Sequence, residues 1–189
     1  MQQIKDAIKQ FINFTENEIN GFLSRATVKN VKRNEIVNRQ NTIQNEIYFI
    51  NKGLIRRVIT DNQGTEHTLH FAMENQFITD YSSFLRKQPS PYTLRALEDS
   101  ELVLLQRSTI EWAYQNTKEG EKMGRRIAEF NFILQDDHIK NMYINTPKQR
   151  YDNITAVFPN IHNRVPQHMI ASYLGITPVH LSRLKKSSR

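Results

Sequence analysis

The chain has 189 residues, 38 % of them hydrophobic and none of them cysteine, and a formal net charge of +7. That hydrophobic fraction supports a packed core rather than a disordered chain, in one large domain or two small ones. The missing cysteine excludes structural disulfides, thiolate zinc sites, cysteine-ligated iron–sulfur clusters and a cysteine nucleophile.

The opening "MQQIKDAIKQFINF" lacks a signal-peptide core and a small-residue cleavage site. No apolar run approaches the roughly 20 residues of a membrane span, so a cytoplasmic protein is expected. Met1–Thr27 is predicted helical, with Ile4, Ile8, Phe11 and Ile12 on one face. A second piece carries Ile19, Phe22 and Leu23, and "TENE" at Thr15–Glu18 is its capping-box start.

From Val28 to about Gln106 the period changes. "VKRNEIV", "EIYFINKG", "LIRRVIT", "EHTLHFA", "TLRAL" and "ELVLL" are short β-rich runs separated by turn signals such as "NKG" and "DNQG". This spacing predicts an antiparallel barrel or jelly roll. The runs do not say whether it encloses a ligand cavity or a packed core.

Beyond Ser108 helix returns. Met123, Ile127, Phe130 and Leu134 are spaced 4-3-4, a narrow seam that fits a partner helix across a homodimer, or a helix packed on its own barrel. Thr146-Pro147 is an N-cap followed by a first helical residue, and "FPN" ends that helix. Near the end, "IASYLGITPVHLSRLKK" reads as helix, turn, helix. Gly175 supplies the left-handed stop, and Thr177-Pro178 starts the second helix. Unrolled at 100° per residue, that helix turns Leu181 and Leu184 to the core and Val179, Ser182, Arg183 and Lys186 outward, flanked by His180 and Lys185.

The charge is concentrated at the same end. His138–Arg189 holds eight Lys/Arg and one acid, Asp152, whereas the preceding residues balance at eighteen each. A neutral body with a cationic end fits a polyanionic partner, or a solvated basic surface. A helix of this diameter enters the major groove, where an Arg bridges O6 and N7 of guanine.

These residues together resemble the Crp/Fnr transcription regulators, in particular a short form frequent in Bacteroidetes. "EIYFINKGLIRRVITDNQGTEHTLHFA" is similar to that family's β-roll, and "SSFLRKQPSPYTLRALEDSELVLL" to its cap and last strands. The resemblance implies an α+β chain: an N-terminal sensor β-roll (double-stranded jelly roll) over 1–115, a dimerisation helix over 116–145, and a helix-turn-helix domain over 146–189. It implies a homodimer on a pseudo-palindromic double-stranded DNA operator, with RNA polymerase as a further partner. Gln167, Thr177, Pro178, Val179, His180, Ser182, Arg183, Lys185 and Lys186 are the expected DNA contacts, Arg183 matching an arginine that reads bases. Many members carry Glu where Val179 stands, and many continue into a β-hairpin wing where only a short tail follows here.

The sensor half departs further. Cyclic-nucleotide binders of the family carry Gly-Glu for the ribose and Arg-Ser/Thr for the phosphate. Thr79-Asp80 and Pro89-Ser90 stand there instead, and the loss of the Arg removes a charge-assisted contact. No cofactor is expected, and any effector is unlike cyclic AMP unless Arg95 or Arg86 substitutes. Residues expected near an effector are Phe71, Thr79, Asp80, Tyr81, Ser82, Ser83, Ser90 and Arg95, although aromatic residues in a small barrel are commonly core. Metal and catalytic readings fail. His67 and His70 fall on opposite faces of a regular strand, Asp136, Asp137 and His138 diverge on a helix, and no G-x-S-x-G, P-loop or H-E-x-x-H occurs. The alternative reading is a small-molecule sensor whose basic end binds another protein or a membrane surface.

Overall fold

The computed structural model describes residues 1–187, and the side chains of residues 1–186. Ser188 and Arg189, the end of the C-terminal domain expected over 146–189, lie outside the described residues.

Two short helices, α1 (Gln2–Lys9) and α2 (Glu16–Leu23), open the chain. The Thr15–Glu18 capping box forms as expected, each side chain meeting the other's backbone N–H. Helix α1 ends earlier than its apolar period implied. Phe11 and Ile12 lie in the turn beyond it, and Ile12 is still buried.

Eight strands follow: β1 (Thr27–Val31), β2 (Ile36–Asn38), β3 (Glu46–Lys52), β4 (Ile55–Thr60), β5 (Glu66–Ala72), β6 (Phe77–Ile78), β7 (Tyr92–Ala96) and β8 (Ser100–Gln106). They form two four-stranded sheets, β1-β8-β3-β6 and β2-β7-β4-β5, with every pairing antiparallel. Helix α3 (Tyr81–Arg86) bridges β6 and β7. Gly53, with φ +102°, makes the β3–β4 turn, and a Cβ there would collide with the Ser100 hydroxyl.

Alternation sorts the sheets' side chains. Tyr48, Ile50, Ile55, Ala72, Leu94, Ala96 and Leu102 fill the space between them, so the roll encloses a packed core there. Ile47, Phe49, Val103 and Leu105 face the other way, onto α1, α2 and α4 (Arg107–Asn116). Fully burying one such side chain contributes about 1.5–3 kcal/mol.

Helix α5 (Gly120–Ile144) is 25 residues long. Its expected seam divides. Met123 is buried in the core of the N-terminal helices and Ile127 packs against that core. For these two the helix meets its own body, and the Phe130 ring also sits edge-on 5.8 Å from Phe11. Phe130 and Leu134 remain 49 % and 41 % exposed.

Four helices complete the chain: α6 (Pro147–Val157), α7 (Ile161–Arg164), α8 (Gln167–Tyr173) and α9 (Pro178–Ser187). Thr146 caps α6 through a capping box with Gln149, and Pro147 follows it. These helices share a core with the roll: Leu54, Phe71, Met73 and Leu97 pack with Ile154, Phe158, Ile170, Tyr173 and Leu181. Arg164 adds a double fork, donating to both carboxylate oxygens of Glu74 and of Glu98 at 2.7–2.9 Å. Arg150 ties two helix ends together, donating to the Met142 carbonyl in the last turn of α5, the Asn145 carbonyl just after it and the Leu174 carbonyl behind α8. A cation suits both C-termini.

Candidate nucleic-acid interface and sensor cassette

The segment α8–turn–α9 is built by local rules. Gly175 takes φ +66°, the Ile176 amide donates to the Ala171 carbonyl and the Gly175 amide to the Ser172 carbonyl. These two bonds are a Schellman stop. A Cβ on Gly175 would strike the Met142 methyl of α5, so the turn is seated on that helix. The Thr177 hydroxyl accepts from the His180 amide at 3.2 Å and caps α9.

Leu181 of α9 is buried and Leu184 half-buried. Opposite them Val179, Ser182, Arg183 and Lys186 are exposed, Thr177, Pro178 and His180 are exposed at the helix start, and Lys185 is half-buried on the flank. The expected outward stripe is therefore exposed as a unit. Gln167 joins it across a concavity of about 380 Å³ that is also lined by Pro178, Leu181, Ser182, Lys185 and Lys186.

The cassette around α3 is held by its own side chains. The Thr79 hydroxyl donates to the Glu46 carbonyl. Asp80 caps α3 by accepting from the Ser83 amide. The Ser83 hydroxyl donates to the Gln88 carbonyl and accepts from the Gln44 amide. Ser90 is fully buried and its hydroxyl accepts from the Tyr92 amide. Tyr81 stacks on Phe84, Ser82 is exposed, and the Arg107 guanidinium lies over the Phe84 ring and donates to the Phe84 carbonyl. Arg107 has no sequence signature, because its partners lie far away along the chain.

Two expected effector residues are elsewhere. Phe71 is fully buried between the roll and the C-terminal helices, with its ring 5.7 Å from Phe158 and 5.6 Å from Tyr173. Strand alternation turns it outward, away from the roll interior. Arg95 pairs with Glu66 at 2.9 Å, and Glu66 also holds Arg56 at 2.7 Å. Arg56 is the register partner of both Phe71 and Arg95, so all three share that outer face. Among the described residues no group of three or more His, Cys, Asp or Glu could hold a metal ion, and no helix is long and apolar enough to cross a membrane.

The two histidines around α5 are depressed. Burial first, then the Arg57 and His138 charges, push His70 down to about 3. Burial first, then Arg57 and Arg150, also lowers His138. A histidine kept neutral by the fold takes up its proton more readily when unfolded, near its ordinary 6.5. Its contribution to stability is thus present above that value and is lost as pH falls through the interval below it. Between pH 7 and pH 5 His70 alone should account for about 2 kcal/mol of lost stability. Carboxylates titrate below this window. Urea unfolding should therefore show a falling midpoint from pH 7 to 5, and His70→Gln should flatten that fall; an equal slope in the variant rules His70 out as its source.

Two antiparallel sheets, the helix α3 between β6 and β7 and the long following helix α5 define the architecture to be compared. Residues 28–117 match the family model of the cyclic nucleotide-binding domain. No curated protein matches the chain. Among solved structures, FixK2 from Bradyrhizobium japonicum is similar with a TM-score of 0.72 at 16 % identity, over 86 % of this chain and 83 % of that one. The c-di-GMP-responsive global regulator CLP of Xanthomonas campestris gives 0.72 at 13 % identity, over 92 % and 91 %. A Eubacterium rectale protein assigned to the Crp/Fnr transcriptional regulators gives 0.70 at 14 %, over 95 % and 85 %. The chain thus matches the cyclic nucleotide-binding domain model over residues 28–117 and shares the fold of these three structures.

Proposed function

We propose that this chain is a sequence-specific DNA-binding transcription regulator of the Crp/Fnr type, acting as a homodimer. The observation that carries the reading is the exposed stripe Val179, Ser182, Arg183 and Lys186 on a helix whose other side is anchored by Leu181. Gln167, Thr177, Pro178, His180 and Lys185 complete the contact surface. Short side chains at Val179 and Ser182 let the helix approach the groove floor, Arg183 reads a guanine, and Lys185 and Lys186 meet phosphates. The roll is a sensor domain, and α5 carries its state to the recognition helices. Short-form membership of the family and RNA polymerase as a partner belong to the same reading.

Selection of bound duplexes from a random pool tests it. The enriched site should be a pseudo-palindrome with half-sites about 10–10.5 bp apart, since operator symmetry mirrors protein symmetry. An asymmetric site, or none, counts against the dimeric docking. Arg183→Ala should cost about 1–3 kcal/mol per half-site and relax preference at one base pair. Lys185→Ala should weaken all sequences alike and reduce the salt slope by about one per half-site. If Arg183→Ala leaves the ratio of matched to mismatched binding unchanged, the helix does not read bases through that residue.

Cyclic AMP and cyclic GMP should give no saturable heat in titration calorimetry. Pro89 offers no cation to the phosphate, and the hydroxyls of Thr79, Ser83 and Ser90 are already engaged in the cassette. A buried phosphate without a partner costs several kcal/mol. Micromolar binding of either nucleotide overturns this expectation.

A further inference from the structure

The chain has no cysteine, so its five methionines are its only sulfur. Oxidation to a sulfoxide turns the flexible apolar thioether into a polar group. Two conditions decide where that change matters: solvent must reach the side chain, and the sulfur must sit at a contact on which the fold depends. Met73 and Met123 fail the first, being 6 % and 2 % exposed. Met1 fails the second, standing exposed ahead of α1. Met142 and Met169 are half-buried. Met169 is one of several apolar residues against the core shared by the roll and the C-terminal helices. Met142 has a more particular place.

It is the seat of the turn between α8 and α9. Gly175 holds φ +66° there, and a Cβ on it would strike the Met142 methyl and lie 3.8 Å from the Met142 sulfur. Apart from the residues on either side of Gly175, nothing else among the described residues comes within 4 Å of that position. Arg150 fixes the two backbones at this contact. Its guanidinium donates to the Met142 carbonyl at 3.1 Å and to the Leu174 carbonyl, next to Gly175, at 3.0 Å. The thioether is therefore held against the glycine from a fixed point on α5. The amides of the turn are already engaged, Gly175 with the Ser172 carbonyl and Ile176 with the Ala171 carbonyl. An oxygen added to the sulfur finds a spare donor in neither. The residue after Ile176 is Thr177, the cap of α9, so a displacement at Gly175 moves the start of that helix.

We propose that Met142 is a methionine-oxidation site, modified by a peroxide, through which the seating of the α8–turn–α9 unit on α5 responds to oxidant. The sulfur lone pair attacks one peroxide oxygen, and the S–O bond forms as the O–O bond breaks. Sulfur is oxidised by two electrons and the peroxide is reduced. With hydrogen peroxide, the departing hydroxide takes the proton left on the transferred oxygen and leaves as water. The new oxygen brings bulk and a dipole to a place where only a glycine admits the methyl. Either the turn lifts from α5 or the side chain swings into solvent, and both undo the seat. Enzymatic reduction of the sulfoxide restores the thioether, so the change is reversible. Met142 lies about 120° round α5 from Phe130, so a second copy seated on the Phe130 side does not cover it. The site concerns a contact within the chain and stands whether or not α9 reads DNA.

The test treats the full chain with hydrogen peroxide and maps the product by peptide mass spectrometry. Met142 should gain one oxygen well before Met73 and Met123. Hydrogen exchange is then followed at the Gly175 and Ile176 amides, whose bonds close the turn. Both should exchange about tenfold faster in the oxidised chain, while the amides of β3 and β8 keep their protection. The two sulfoxide reductases, one for each epimer, should restore slow exchange. Met142→Leu keeps an apolar side chain without sulfur. It should show the same exchange before and after peroxide, although Met169 can still be oxidised. Met142→Gln, polar and unbranched, should exchange fast with no peroxide at all. Oxidation of Met73 or Met123 ahead of Met142, an unchanged turn in a chain oxidised at Met142, or a peroxide effect that persists in Met142→Leu overturns the proposal. Selection of duplex DNA is a separate measurement: a turn that loosens in a chain that enriches no duplex sinks the regulator reading and leaves this site standing.

Discussion

Replacing Phe130 and Ile133 together by Glu should turn the protein into a monomer that has lost operator binding by about three orders of magnitude, the gap between specific and non-specific affinities. Along α5, Phe130, Phe132, Ile133, Leu134, Ile139, Tyr143 and Ile144 are between 41 % and 88 % exposed. A run of large apolar side chains on one helix of an isolated chain marks a protein contact. At 100° per residue Phe130, Ile133, Leu134 and Ile144 fall within one band, which a second copy of α5 would cover symmetrically. The choice of positions follows from the packing. Met123 and Ile127 serve the chain's own core, so charges there would unfold the monomer and test nothing about the dimer. Sedimentation and a thermal melt on the same samples separate the outcomes. A wild type that is monomeric at micromolar concentration, or a folded double variant that is still dimeric, removes this face from consideration.

The second large effect belongs to the junction between roll and C-terminal helices. Phe71→Ala should cost about 3–5 kcal/mol, the range for emptying a buried aromatic site. Its ring touches Phe158 and Tyr173, so the loss falls on docking. Arg164→Met should act in the same direction, by about 2 kcal/mol, because it leaves two half-exposed carboxylates facing each other without their shared cation. Hydrogen exchange reads both. Amides of α6, α8 and α9 should exchange faster while those of β3 and β8 stay protected. Uniform acceleration across the chain would show that junction and roll unfold as one unit, and the docking assignment would fall.

Local chemistry was legible in the sequence. Thr15–Glu18, Thr146-Pro147, Gly175 and Thr177-Pro178 each fix a helix end with neighbours only a few residues away, and all of them formed. Strand alternation and turn signals likewise placed the two-sheet roll. What escaped depends on pairing across the chain. Phe71 was read as a ligand-facing aromatic, yet which side of β5 is interior depends on the register with β4, and a bulge near His70 resets that register. Arg95 was one of two candidate substitute anchors, with Arg86, and a glutamate 29 positions away holds it on the outer face. Arg164 looked like one more unit of the basic end, but Glu74 and Glu98, 90 and 66 residues away, neutralise it. The 4-3-4 period on α5 does not say which surface meets it, and Met123 and Ile127 meet the chain's own core.

Helix α5 also has a mechanical consequence. It is fixed at Met123 in the N-terminal core and, beyond its far end, by Arg150 gripping the Met142 and Asn145 carbonyls. From Met123 to Ile144 the axis runs about 31 Å, at 1.5 Å per residue. Treated as a rigid arm pivoting at Met123, a tilt of about 5° carries the far end through roughly 3 Å, and 3.4 Å is the rise of one base pair. Two such arms in a symmetric pair swing in opposite senses, which doubles the change in separation between their tips. In the proposed dimer, a movement at the pivot no larger than a side-chain rotation would then put one α9 helix out of phase with the groove that its twin still occupies.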